Sequence, residues 1–173
     1  MSTYLSLTPL ELGRFVQRSK ASSALPSEPD LRNVFLEILE KAAELVPSES
    51  GAILLDDPLT KDGDRGANEL IFVAVFGPAA GTLVGKSLPA SEGVAGHVYR
   101  TGTAHLAVET VEDEAFAPRI DEETGYTTKS IVAAPIQIGT TVCGAIELLN
   151  RLDGRSYDPH DLVLLEVFAR YVA

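Results

Sequence analysis

The sequence predicts an α+β (layered α/β) domain, an antiparallel sheet with helices on its faces. Three observations predict it. Apolar residues recur at helical spacing near both ends, and short β-branched runs fill the middle. Two of those runs, residues 130–138 and 141–149, are separated only by Gly139-Thr140, a hairpin signal. At 173 residues, 45% apolar and 23% charged, the chain suits one domain with a core and some extra at the ends.

Thr8-Pro9-Leu10-Glu11 is a capping box with Pro at the first helical position, so a short helix to about Arg18 follows. Residues 20–29, rich in Ser and Pro, read as a linker. Residues 1–29 are therefore expected to be a helix and linker, and 30–173 the domain proper. From Leu31 to Val46 the apolar spacing lines one helix face, and Pro47 ends it. Residues 51–56 and 69–76 read as strands on either side of a Pro- and Gly-bearing loop.

A glycine-rich stretch, 77–85, leads to Ser91-Glu92-Gly93, the start of a short helix that Gly102 terminates. Residues 103–108 are a strand candidate. Residues 109–129 hold seven acids and no clean periodicity, which predicts a functional connection that covers something. After the hairpin, Asp158-Pro159-His160-Asp161 caps a last helix. Leu162, Leu165, Phe168, Ala169 and Val172 form its stripe, and Val163, Leu164, Val167 and Tyr171 widen it, so it needs cover on two sides. It reaches Ala173 with neither cap nor basic last turn. It is therefore expected to continue, as the sensory end of a longer protein.

Composition excludes several roles. Fourteen Lys and Arg against 25 Asp and Glu give a net charge of −11. Nucleic acid and anionic lipid need clustered cations, and none is visible. No run spans a bilayer and no secretory signal opens the chain, so a cytoplasmic location is expected. The single cysteine, Cys143, sits in an apolar run and reads as a buried, inert thiol.

No metal-spaced histidine pair, nucleophile elbow, P-loop or dinucleotide fingerprint occurs, so no catalytic or metal residue is assigned and no cofactor is required. Residues 91–96, SEGVAG, open a helix whose first amides, around Val94 and Ala95, suit an anion. The competing reading is an ordinary Gly-rich turn. His97 follows this start and is the histidine of interest; His105 falls in a strand, and His160 in a cap. Residues 121–130 supply hydroxyls and a carboxylate that can read a heterocycle or ribose, or simply form a polar turn. Glu147 shares a strand face with Ala145 and Leu149, and either meets solvent or lines a cavity.

Four blocks in order, GVAGHVYRTG (93–102), DEAF (113–116), DEETGYTTKSIVAAPI (121–136) and GAIELLNR (144–151), resemble the GAF domain family. The likeness is to the cyclic-nucleotide-binding GAF domains of phosphodiesterases and bacterial adenylyl cyclases. The resemblance implies a six-stranded antiparallel sheet with helices on both faces and a regulatory domain of a signalling protein. It also implies a cyclic nucleotide, cAMP or cGMP, or a related small anion as ligand, and a homodimer through the terminal helices. It sets the phosphate on the amides of Val94 and Ala95, the cover residues Asp121, Thr124 and Thr128 over the nucleotide, and Glu147 in the pocket. Phe76 keeps a stacking surface, whereas Gly77 and Ala117 stand where the family carries an acid and an aromatic. Phe116 and His97 complete the expected ligand-binding set. An altered NKFDE motif at Asn150, Arg151, Tyr157, Asp161 and Leu162 implies an Arg151–Asp161 ion pair. The alternative reading is an interaction module that dimerises without a ligand.

Overall fold

Thr8 caps the first helix as its spacing predicts. The Glu11 amide donates to Thr8 Oγ1 at 3.3 Å and the Thr8 amide to Glu11 Oε2 at 2.8 Å. The computed structural model describes residues 8–21 and 31–171. The expected linker falls outside these residues except for Lys20 and Ala21, which end helix α1 (Pro9–Ala21). The α1 helix is not a detached arm. Leu12, Phe15 and Val16 are buried, and the Phe15 ring stacks on Phe35 of α2 (Leu31–Leu45) at 5.4 Å.

Six strands follow: β1 (Ser48–Leu55), β2 (Glu69–Phe76), β3 (Ser87–Pro89), β4 (His105–Ala107), β5 (Ile131–Ile138) and β6 (Thr141–Arg151). They form one antiparallel sheet in the order β3-β2-β1-β6-β5-β4. The β5–β6 hairpin turns at Gly139 (φ 62°), as expected. Strand β3 escapes the sequence reading because three residues ending in Pro carry no alternation. Helices α3 (Ala80–Leu83) and α5 (Arg119–Thr124) are likewise short insertions without a period.

The sheet separates two apolar layers. Helices α1, α2 and α6 (Pro159–Tyr171) cover one face, with Leu39, Ile53, Val73, Ile146, Leu148 and Leu165 between them. Helix α4 (Gly93–Thr101), α3 and the connection 109–129 cover the other. Val163 and Val167 stay exposed on α6, and Arg170, paired with Glu166 at 2.9 Å, does sit in its last turn, contrary to expectation. Among the described residues no helix is long and apolar enough to cross a membrane.

Strands β1 and β6 approach so closely that a Cβ on Gly144 would lie 2.1 Å from the Leu54 carbonyl. Gly144→Ala is expected to cost about 2 kcal/mol by forcing these central strands apart, a fall of roughly 4–8 °C in Tm by calorimetry.

The last strand is tied to the last helix as the resemblance implies. Arg151 Nη1 donates to Asp161 Oδ2 at 2.5 Å. Asp161 and Asp158 cap α6 reciprocally, each backbone amide donating to the other's carboxylate at 2.9 and 3.0 Å. Buried Tyr157 donates to Ser48 Oγ at 2.6 Å beneath this corner.

Candidate functional site

On the α4 side of the sheet a cavity of about 60 Å³ lies between β1, β2, β6, α3, α4 and the 109–129 connection, which is its cover. Its floor is Ala52 and Glu147, and its apolar wall is Phe72, Val75, Leu83 and Leu88. The first turn of α4 faces it through Gly93, Val94 and Ala95. Gly93 takes φ 73°, which turns the chain into the helix, and no side chain caps the helix start. The first amides of a helix lack intrahelical partners, so these offer donors and a partial positive charge to the cavity.

The cover contributes Phe116, Asp121, Thr124, Tyr126 and Thr128. Its polar groups are largely engaged with one another. Asp121 Oδ1 accepts from Thr128 Oγ1 and Oδ2 from the Thr128 amide, both at 2.6 Å. Thr124 Oγ1 donates to the Ile120 carbonyl at 2.8 Å. The cover's two ends meet where Thr110 Oγ1 donates to the Thr128 carbonyl at 2.6 Å and its amide to the Lys129 carbonyl at 2.9 Å.

Asn150 is the hub that the sequence reading treated only as a motif position. Its Oδ1 accepts from the amides of Lys129 (2.7 Å) and Ser130 (3.3 Å). Its Nδ2 donates to the Thr127 carbonyl (2.9 Å) and to the Tyr126 hydroxyl (3.0 Å), which in turn donates to Glu49 Oε2 at 3.0 Å. Burial and the Glu49 carboxylate push the Tyr126 hydroxyl up to about 12.

Glu147 is the one acid on the floor. Half-buried, it has no hydrogen-bond donor among the described residues. Burial, reinforced by the nearby Asp121, pushes its carboxyl up to about 7.

Seven of the expected residues therefore line one cavity: Val94, Ala95, Phe116, Asp121, Thr124, Thr128 and Glu147. Two do not. Phe76 packs into the opposite apolar layer. The cause is a bulge: Leu54 pairs with Phe72 and Ile53 with Ala74, so Val73 is the extra residue. It reverses the alternation beyond it. Phe72 and Val75 face the cavity in its place. His97 lies on the flank of α4, edge-on to His105 of β4 with ring centroids 4.9 Å apart. Burial and His105 lower its pKa. His105 Nε2 in turn lies 2.8 Å from Asp113 Oδ2, fastening the start of the cover to the edge of the sheet. Cys143 is buried on the far side, its thiol pushed up to about 12 by burial. Among the described residues no group of three or more His, Cys, Asp or Glu could hold a metal ion.

The profile of the GAF domain family matches residues 30–173. The chain belongs to the GAF domain family. GAF domains are regulatory, small-molecule-sensing domains, and the six-stranded sheet with helices is their fold. Over 81 residues, 47% of its length, the chain is 40% identical to a probable 3',5'-cyclic phosphodiesterase (pde-5) of Caenorhabditis elegans. Over 77 residues, 44% of its length, it is 36% identical to the alpha subunit of the rod cGMP-specific 3',5'-cyclic phosphodiesterase of Bos taurus. These matches span only 11% and 9% of those proteins. Among solved structures, the GAF domain of a phosphoenolpyruvate-protein phosphotransferase from Coxiella burnetii superposes with a TM-score of 0.66 at 16% identity, covering 95% of this chain and 89% of that one.

Proposed function

We propose that this GAF domain is the sensory module of a larger cytoplasmic signalling protein, and that its cavity takes a cyclic nucleotide (cAMP or cGMP) or a related small anion. The observation that carries this reading is convergence: the uncapped start of α4, the acid of β6 and the cover meet at a single cavity. The likeness to phosphodiesterases, one of them cGMP-specific by name, supports the ligand class.

Ligand pockets measure roughly 300–1,000 Å³, so a nucleotide enters this one only when the cover lifts. Lifting the cover reaches the last helix through covalently and polar-linked neighbours. Thr127–Ser130 hang on Asn150; the next residue, Arg151, holds Asp161 at the start of α6. A ligand that favours one position of the cover then biases α6, and a homodimer through the terminal helices would carry the signal on.

Calorimetry with cAMP and cGMP tests the reading; no heat at millimolar nucleotide sinks it. Ala52→Leu, which adds three carbons to the cavity floor, is expected to abolish that heat while the melting transition stays cooperative.

The small cavity volume, about 60 Å³, also supports a second reading, a module that dimerises without a ligand. It predicts a dimer by sedimentation with no response to any nucleotide.

A further inference from the structure

Glu147 faces the cavity with nothing to neutralise it. Its strand partners are Ala52 on β1 and Ala133 on β5, neither of which brings a donor side chain. Among the described residues no lysine, arginine or histidine lines the cavity. Among the described residues, the titratable groups that line the cavity with Glu147 are Asp121 of α5 and Tyr126 beyond it; β1, β2, α3 and α4 present none there. Asp121 is a second acid, its oxygens occupied by Thr128, and the Tyr126 hydroxyl is turned to Glu49 and Asn150. The uncapped α4 amides bring a partial positive charge to the cavity, and an anion resting there uses it.

Two negative charges sharing a small, largely apolar cavity repel, because its walls screen them less than bulk water does. A carboxyl that takes up a proton removes the repulsion and becomes a hydrogen-bond donor. We infer that Glu147 sets the charge specificity of this pocket: the site admits an anion together with one proton, and so takes singly charged anions and rejects doubly charged ones. The inference rests on the reading that the cavity binds a small anion. It separates two chemically close classes. A cyclic phosphodiester carries one charge at any working pH, whereas a phosphomonoester loses its second proton near pH 6. The elevated carboxyl keeps the needed proton available at neutral pH.

The test is calorimetry on the full chain with cGMP, cAMP, 5'-GMP and 5'-AMP at pH 6, 7 and 8, in buffers of different ionisation enthalpy. With a midpoint near 7 the protonated fraction falls from about nine-tenths to about one-tenth between pH 6 and 8. Binding of the cyclic nucleotides is expected to weaken about tenfold over that range, with proton uptake approaching one per ligand at pH 8. The 5'-monophosphates are expected to bind at least about tenfold more weakly than the cyclic forms at pH 8. Glu147→Gln is expected to hold the pH 6 affinity at pH 8. The wild-type proton count decides the matter even where that variant does not fold. Cyclic-nucleotide heat that is flat with pH and carries no proton uptake overturns the inference and leaves the small-anion reading intact. Absence of heat from all four nucleotides removes that reading and the inference together.

Discussion

Asn150→Ala is expected to lower Tm by roughly 6–12 °C, the equivalent of about 3 kcal/mol. Asn150 is buried at 8% exposure and adopts φ 55°, the only non-glycine residue with positive φ among the described residues. Asparagine tolerates this conformation because its short polar side chain bonds locally, whereas alanine pays about 1 kcal/mol for it. Truncation also strands the amides of Lys129 and Ser130 and the Thr127 carbonyl. A partly buried backbone group without a partner costs about 1 kcal/mol or more. Two further variants separate the contributions. Asn150→Gly relieves the backbone strain and is expected to recover about a third of the loss. Asn150→Asp keeps the acceptor for the two amides but sets a second carboxylate against Glu49, so it is expected to lose the donor contacts without relieving strain. Differential scanning calorimetry reads all three. A shift below about 2 °C for the alanine variant would mean that water replaces the amide and that Asn150 does not hold the cover.

What the sequence discloses and what it withholds divide along a physical line. Caps, glycine stops and the hairpin are local, and they sit where spacing puts them: Thr8 with Glu11, Gly102 at φ 66°, Gly139 between β5 and β6, Asp158 with Asp161. Alternation in β6 likewise puts Ala145, Glu147 and Leu149 on one face, but it leaves open whether that face meets solvent or a cavity; the structure sets it against the cover. Phe76 shows the limit. Its side of the sheet depends on one extra residue, Val73, opposite β1, and no pattern within the strand announces that bulge. The pairing of Asp121 with Thr128 is equally hidden. Spacing in a run without periodicity gives no direction to side chains, so two groups expected to reach a ligand are found bonded to each other. Helix α5, with Ile120 as its lone apolar residue, has no stripe to betray it.

Glu147→Gln is expected to stabilise the domain at high pH and to leave it unchanged at low pH. The carboxyl is raised from 4.5 to about 7. Between those values the folded protein retains a proton that the unfolded chain has released, so stability falls as pH rises through this window. The penalty is absent below about pH 4.5 and complete above about pH 7, where it reaches up to about 3 kcal/mol. Glutamine has nearly the shape of the protonated acid and never ionises. Its Tm is therefore expected to match the wild type near pH 4.5 and to exceed it by roughly 6–12 °C at pH 8, at constant ionic strength. Equal melting temperatures at pH 8 would mean that the carboxylate is already solvated or paired, and would remove the basis for charge selection in the cavity. The direction runs against the usual behaviour of an acid, which loses stability on protonation. An acid held in an apolar cavity at a cost to the fold is the mark of a site shaped for something other than stability. Here the same feature that weakens the ligand-free domain at neutral pH lets a proton and an anion bind the cavity together.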